Sequence, residues 1–107
     1  MEASIEKDSS TAGMVRAYSD ANASWDKRVN AAYQSLKIKM DPKEWIALSL
    51  AQKAWLGYRD LHIKSINITF SRMDGSMWIP DSVLKIMQLT KERSLYLESL
   101  LRIVSER

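Results

Sequence analysis

The arginines are the residues whose positions most suggest a specific interaction. Arg59 follows Trp55 by one helical turn, and Arg93 falls on a predicted helical face that is otherwise apolar. A guanidinium drawn toward a protein core needs a fixed anion, and by helix position the nearest carboxylates belong to Asp26 and Asp60. The pattern favours structural salt bridges, with a ligand-binding pair of arginines as the alternative.

Residues that catalyse reactions in other proteins are present, but they form no recognisable catalytic motif. His62 is the only histidine, and a lone histidine within a helix is more typical of packing than of metal binding. The absence of cysteine excludes disulfides, thiolate metal sites and cysteine nucleophiles. Glycine-rich phosphate loops are also missing, and acids such as Asp26 and Asp60 have no spacing that requires glycosidase chemistry. We therefore expect no enzyme, cofactor or metal.

Composition is typical of one globular helical domain. The 107 residues are 46% hydrophobic and 27% charged, with three glycines and two prolines. The net charge of +3 comes from basic residues scattered among acids, and this pattern does not favour a nucleic-acid binder. No apolar run is long enough to span a membrane. The N-terminus has no signal-peptide features, and an exported protein whose signal peptide has been removed would have the same appearance.

Three segments have helical periodicity and predict an all-α, antiparallel three-helix bundle. The first helix runs from about Met14 to Met40. The sequence from Asp41 to Glu44 combines a capping residue, a first-turn proline and a glutamate that can complete a capping box, so the second helix should start there and reach about Thr69. Apolar residues on more than one side of the second helix predict that it is central and most buried. Asp81 is expected to cap a third helix that ends near Val104.

The remaining segments are predicted to be non-helical. Residues 1–13 are polar and predict a flexible N-terminal arm, which leaves residues 14–107 as the single helical domain. Turn-forming residues between 70 and 80 predict one substantial loop between the second and third helices. Trp78 falls in this loop, where it either closes the end of the bundle or anchors a partner; the first interpretation is favoured.

Three stretches of the chain, taken in order, form a signature. They contribute Asp26, Asn30 and Tyr33 from the first helix, Gln52, Trp55, Arg59 and Asp60 from the second, and Thr90 and Arg93 from the third, with Gly75-Ser76 in the loop. Over about residues 14 to 104 the chain resembles the LprI-like lysozyme-inhibitor family. The resemblance implies a helical bundle, a periplasmic or secreted location and, for some members, inhibition of lysozyme. Family members commonly carry two cysteines that this sequence lacks, so the resemblance is to a divergent branch.

The resemblance implies a protein partner, namely a peptidoglycan-degrading enzyme, and the chain would be an inhibitor or an immunity protein against a toxin. The loop is the segment expected to enter the enzyme's cleft. Because the chain is basic overall, attraction to a basic lysozyme requires a local acidic patch. The alternative function is a helical scaffolding or self-association module, in which case a homo-oligomer is expected. The residues expected to bind the partner are Arg72, Met73, Asp74, Gly75, Ser76 and Trp78.

Overall fold

Three α-helices form the whole of the described structure, which in this computed structural model comprises the backbone of residues 2–107 and the side chains from Thr11 onward. α1 spans Glu2–Lys39, α2 spans Pro42–Ser71 and α3 spans Trp78–Glu106. The predicted all-α class is confirmed, and no strand occurs within these residues.

The first helix starts earlier than its apolar periodicity predicts. α1 begins at Glu2 instead of near Met14, and its 38 residues correspond to a length of about 57 Å. Two glutamates, two alanines and one lysine between residues 2 and 13 have high helix propensity, which favours a helix even where no apolar face is repeated. Met1 lies outside the described residues, and the flexibility of the N-terminal arm stays a prediction.

The connection between α1 and α2 follows its sequence signals. The Asp41 carboxylate accepts a hydrogen bond from the Glu44 backbone N–H at 2.8 Å, and the Glu44 carboxylate accepts one from the Asp41 N–H at 3.1 Å. Pro42 occupies the first helical position, where its missing N–H would have no helical partner in any case. The predicted capping box is therefore confirmed, and only Met40 and Asp41 separate the two helices.

Contacts between α1 and α2 occur in reverse order along the two helices. Asp26 of α1 contacts Arg59 of α2, while Tyr33, further along α1, contacts Trp45, which lies earlier in α2. This is the order that an antiparallel hairpin produces.

The core lies mainly between α1 and α3, so the prediction that α2 is the most buried helix is wrong. The interior is formed by Val29, Ala32 and Leu36 of α1 with Leu97 and Val104 of α3, together with Leu48 of α2. The apolar residues of α2 are divided between two opposite faces, and only one of those faces can meet the other helices. The second helix therefore contributes less to the core than its hydrophobicity indicates.

The molecule is elongated. Its radius of gyration is 17.6 Å, against about 13 Å for a compact domain of this length, and its principal extents are 60, 24 and 14 Å. A shape this flat leaves many large apolar side chains in contact with solvent. None of the described helices has a stretch long and apolar enough to cross a membrane.

The segment between α2 and α3 is shorter than predicted. Only residues 72–77 are outside a helix, because α3 begins at Trp78 and carries Pro80 within its first turn, where proline is tolerated. The expected cap at Asp81 is also wrong. The N-cap position is Met77, whose side chain makes no capping hydrogen bond, and Asp81 lies inside the first turn.

Candidate functional site

The predicted partner-binding residues lie together at one end of the helices. Five of them occupy the α2–α3 connection, defined here as residues 72–77, and Trp78 is the first residue of α3 rather than a loop residue. Backbone hydrogen bonds close the end of α2, from the Arg72 N–H to the Thr69 carbonyl at 3.3 Å and from the Met73 N–H to the Phe70 carbonyl at 3.1 Å. The connection thus starts from a fixed helix end.

Gly75 sets the course of the connection. Its φ of 89° lies in the left-handed region, which residues other than glycine rarely adopt. A Cβ built at this position would meet no atom within 4 Å, so the backbone conformation, and not space, requires glycine here. The Ile79 N–H then donates to the Ser76 carbonyl at 3.2 Å as the chain turns into α3.

An open cavity of about 270 Å³ lies between the end of α2 and the start of α3. It is smaller than the roughly 300–1,000 Å³ of most small-molecule sites, and it suits a single inserted side chain better than a cofactor. Trp78 is half-buried and forms one wall, so it is neither a fully buried plug nor a fully exposed anchor. The cavity is lined by Asn67, Phe70, Ser71, Met73, Gly75, Trp78, Ile79 and Ser82.

Exposed apolar residues line this cavity, as Met73 and Ile79 do, or lie next to a lining residue in the chain, as Met77 does. The exposed fractions are 41% for Met73, 68% for Met77 and 50% for Ile79. Large apolar side chains exposed together commonly mark a surface that binds another protein, and methionine adapts readily to the shape of a partner. Sequence reasoning missed the contributions of Phe70 and Ile79, although both directly flank the turn-forming residues.

The charge around the cavity differs from that of the whole chain. Residues 70–82 contain Arg72, Asp74 and Asp81, and one positive and two negative charges give a local net charge of −1 against +3 for the chain. Arg72 and Asp74 are both exposed. The local charge is therefore the sign that favours approach to a basic protein.

A second group of signature residues forms a polar layer between the helices, defined here as Asp26, Gln52, Trp55, Arg59 and Arg93. Nη1 of Arg59 donates to Oδ1 of Asp26 at 3.1 Å, and the guanidinium lies 4.8 Å from the ring centre of Trp55. Asp26 is thus the anion that the sequence analysis required for Arg59.

Arg93 has a different environment from the one predicted. Its Nε donates to the neutral amide oxygen of Gln52 at 2.9 Å, and no carboxylate of the described residues forms an ion pair with it. The guanidinium also lies 5.6 Å from the ring centre of Trp55 and 5.2 Å from that of Tyr96. Burial lowers the pKa of Arg93, while Tyr96 acts in the opposite direction. The expectation of a fixed anion at Arg93 is therefore wrong: aromatic faces and an amide take its place.

The other signature residues do not all join this layer. Thr90 is fully buried on α3, and Tyr33 packs against Trp45 with ring centres 4.6 Å apart. Asn30 and Asp60, in contrast, are exposed to solvent. Asp60 is thus not a structural partner of either arginine, and its surface position requires a separate explanation.

His62 and the carboxylates are the side chains of this sequence that could bind a metal ion. His62 packs edge-on against Tyr58 with ring centres 5.1 Å apart, a contact that suits a packing role. Within residues 11–107, no three histidine or carboxylate side chains converge in a way that would hold a metal ion.

These features define a small all-helical protein with an exposed connection between two helices beside an open cavity. The family model described as Lysozyme inhibitor LprI matches residues 2–97, which is most of the chain. The chain therefore belongs to the LprI lysozyme-inhibitor family, an inhibitor family and not an enzyme family. It lacks cysteine throughout, as expected of a divergent member. Searches of curated proteins and of solved structures found no match.

Proposed function

We propose that this protein binds a peptidoglycan-cleaving enzyme in the bacterial envelope and inhibits it. The family match over residues 2–97 is the observation that carries this proposal. The target is a lysozyme, or a toxin of a rival bacterium, in which case the protein provides immunity. An exported location, periplasmic or secreted, is part of the same proposal.

The α2–α3 connection, with Trp78, is the surface that we assign to the enzyme. Its support is the combination of an open cavity with exposed apolar side chains from Met73, Met77 and Ile79 around it. A side chain of the enzyme would enter the cavity, while the methionines cover apolar surface beside the cleft. Because the connection is tied to two long helices, little conformational entropy is lost when it binds.

Asp74 or Ser76 is the polar group to which we assign contact with the catalytic region of the enzyme. Both are exposed in the connection, and Asp74 contributes to the local negative charge that a basic enzyme would meet. Inhibition in this arrangement is steric and electrostatic, since the connection occupies the cleft and excludes the glycan substrate. No chemical step by the inhibitor is required.

A bacteriolysis assay tests this proposal. The purified protein is titrated against several muramidases and amidases, and the rate of lysis of a cell suspension is followed. At least one enzyme should be inhibited in a saturable manner. Lysis at the uninhibited rate with every enzyme would refute the proposed function.

Matched variants test the assignment to the connection. Met77→Lys puts a cation in place of an apolar residue that is 68% exposed next to Trp78, which removes apolar surface and opposes a basic enzyme, so we expect inhibition to weaken by about tenfold or more. Ile103→Lys makes the same change at a residue that is 62% exposed on α3, and inhibition should be unchanged. Equal effects of the two variants would show that the enzyme binds elsewhere.

A further inference from the structure

The outward side of α2 carries a stripe of apolar residues that no other helix covers within the part of the chain that the structure describes. This outer stripe is defined by Ile46, Leu50, Leu61 and Ile68, whose side chains are 59%, 64%, 71% and 57% exposed. At about 100° per residue the four positions fall within about 60° of one another around the helix. The buried residues Leu48, Gln52 and Ile66 lie on the opposite side. The outer stripe is therefore a second apolar face, separate from the one that packs into the core.

Small residues occupy the middle of this face. Gly57 lies midway along the outer stripe, and a Cβ built there would meet nothing within 4 Å. Ala54, one turn earlier, is also exposed. Glycine in the middle of a helix is unfavourable by about 0.5–1 kcal/mol relative to alanine, so a benefit is expected from it. The benefit available at an exposed position is close approach of another backbone.

The stripe is nearly symmetric about Gly57. Ile46 and Ile68 lie 11 residues before and after it, and Leu50 and Leu61 lie seven before and four after. A second α2 can be laid against the first in the opposite direction, with a two-fold axis at Gly57. Ile46 of each copy then lies opposite Ile68 of the other copy. The leucines interleave between them. Isologous pairing of this kind is the commonest arrangement in homodimers.

Charge follows the same symmetry. Lys53 and Asp60 lie on one edge of the stripe, four residues before and three residues after Gly57. Both are exposed, and neither forms an ion pair within the described part of the chain. In the antiparallel arrangement, Lys53 of each copy comes opposite Asp60 of the other. Two identical ion pairs would then flank the apolar centre and select the antiparallel register.

We propose that the outer stripe of α2 is a self-association surface, on which a second copy of this chain packs antiparallel about Gly57 with Lys53 and Asp60 paired across the interface. The proposal explains why the apolar residues of α2 occupy two faces. It also assigns a role to Asp60, an exposed signature residue that lies outside the polar layer. The proposed enzyme-binding surface is at the end of α2 and is not needed for this pairing.

Sedimentation equilibrium tests whether the chain dimerises. The expected species has twice the 12.3 kDa mass of the chain, with a Kd below about 100 µM. Leu50→Glu should weaken the dimer by about 100-fold, whereas Ile103→Glu, an exposed position off the stripe, should not change it. A chain that stays monomeric up to about 1 mM, or equal effects of the two variants, would overturn the proposal.

Charge reversal tests the register. Lys53→Glu and Asp60→Lys each place like charges opposite one another at two symmetric positions, and each should weaken the dimer by about tenfold or more. The double variant carrying both changes should restore the parental Kd to within about threefold, because the pairs are re-formed with exchanged signs. Additive weakening in the double variant would contradict the proposed pairing.

Cross-linking tests the axis, since the chain has no cysteine of its own. Gly57→Cys should form a disulfide-linked dimer on mild oxidation. Ile46→Cys alone should not, because the two copies of that position lie about 33 Å apart, but it should link to Ile68→Cys when the two variants are mixed. Efficient self-linking of Ile46→Cys would indicate a parallel pairing and refute the antiparallel one.

The two proposals fail separately. Met77→Lys should weaken inhibition and leave the dimer intact, and Leu50→Glu should do the reverse. Loss of both properties in either variant, with the helical fold retained by circular dichroism, would show that one surface serves both functions and would contradict a dedicated dimer surface.

Discussion

Replacing Arg93 with alanine should destabilise the fold, because this side chain joins α2 and α3 through contacts that no neighbour replaces. The substitution removes the hydrogen bond from Nε to the Gln52 amide oxygen, which spans 2.9 Å. It also removes a cation from the faces of Trp55 and Tyr96. Gln52 is only 6% exposed, so water cannot freely replace the lost donor.

The magnitude follows from opposing contributions. An unsatisfied buried amide oxygen costs about 1–3 kcal/mol, and each cation–π contact contributes about 0.5–1 kcal/mol. These losses are offset because alanine removes a half-buried guanidinium whose Nη2 has no hydrogen-bond partner among the described residues. We therefore expect Arg93→Ala to lower the free energy of unfolding by about 1–3 kcal/mol. Each kcal/mol corresponds to a fall in Tm of about 4–8 °C for a domain of this size.

Urea unfolding followed by circular dichroism at 222 nm measures this change. A double-mutant cycle with Gln52→Ala isolates the pair, and a coupling of about 0.5–1.5 kcal/mol is expected. Arg102→Ala, at an exposed position of the same helix, is the matched control and should change stability by no more than about 0.5 kcal/mol. An Arg93→Ala variant as stable as the parent, or zero coupling with Gln52, would refute a structural role for this arginine.

Three further predictions concern single positions. Gly75→Ala should destabilise by about 1–2 kcal/mol, measured by urea unfolding, because φ is 89°; an unchanged midpoint would contradict this. The pKa of Glu44 is lowered from 4.5 to about 2, chiefly by its hydrogen bond from Arg107 and then by the Asp41 N–H. The ionised Glu44 carboxylate therefore stabilises the fold above pH 4.5, and this stabilisation is lost as the pH falls toward 2. Glu44→Gln should flatten this part of the curve of Tm against pH. A curve unchanged by the substitution would exclude the linkage. Asp74→Ala should leave Tm within about 2 °C of the parent while weakening enzyme inhibition, and intact inhibition would remove Asp74 from the binding surface.

Local signals in the sequence were sufficient to place the helices approximately. Val29, Ala32 and Leu36 form the buried face of α1, and their spacing of three and four residues is the helical periodicity that predicted this helix. The sequence from Asp41 to Glu44 located the turn into α2, since a capping box depends only on residues three apart. The helix boundaries were less predictable from sequence. The start of α1 has no apolar periodicity, and Pro80, which suggested the end of a loop, lies inside the first turn of α3.

Sequence alone therefore determined the helical class, the capping box between α1 and α2, and the family, all of which depend on residue type and short spacing. The tertiary structure decided which face of α2 meets the core and which stays exposed, because two apolar faces on one helix are equivalent until other helices pack against one of them. It also decided that Arg59 forms an ion pair with Asp26, whereas Arg93 donates a hydrogen bond to Gln52 and contacts the rings of Trp55 and Tyr96. Contacts between residues 30 to 70 positions apart are set by how helices pack, and helical periodicity carries no information about them.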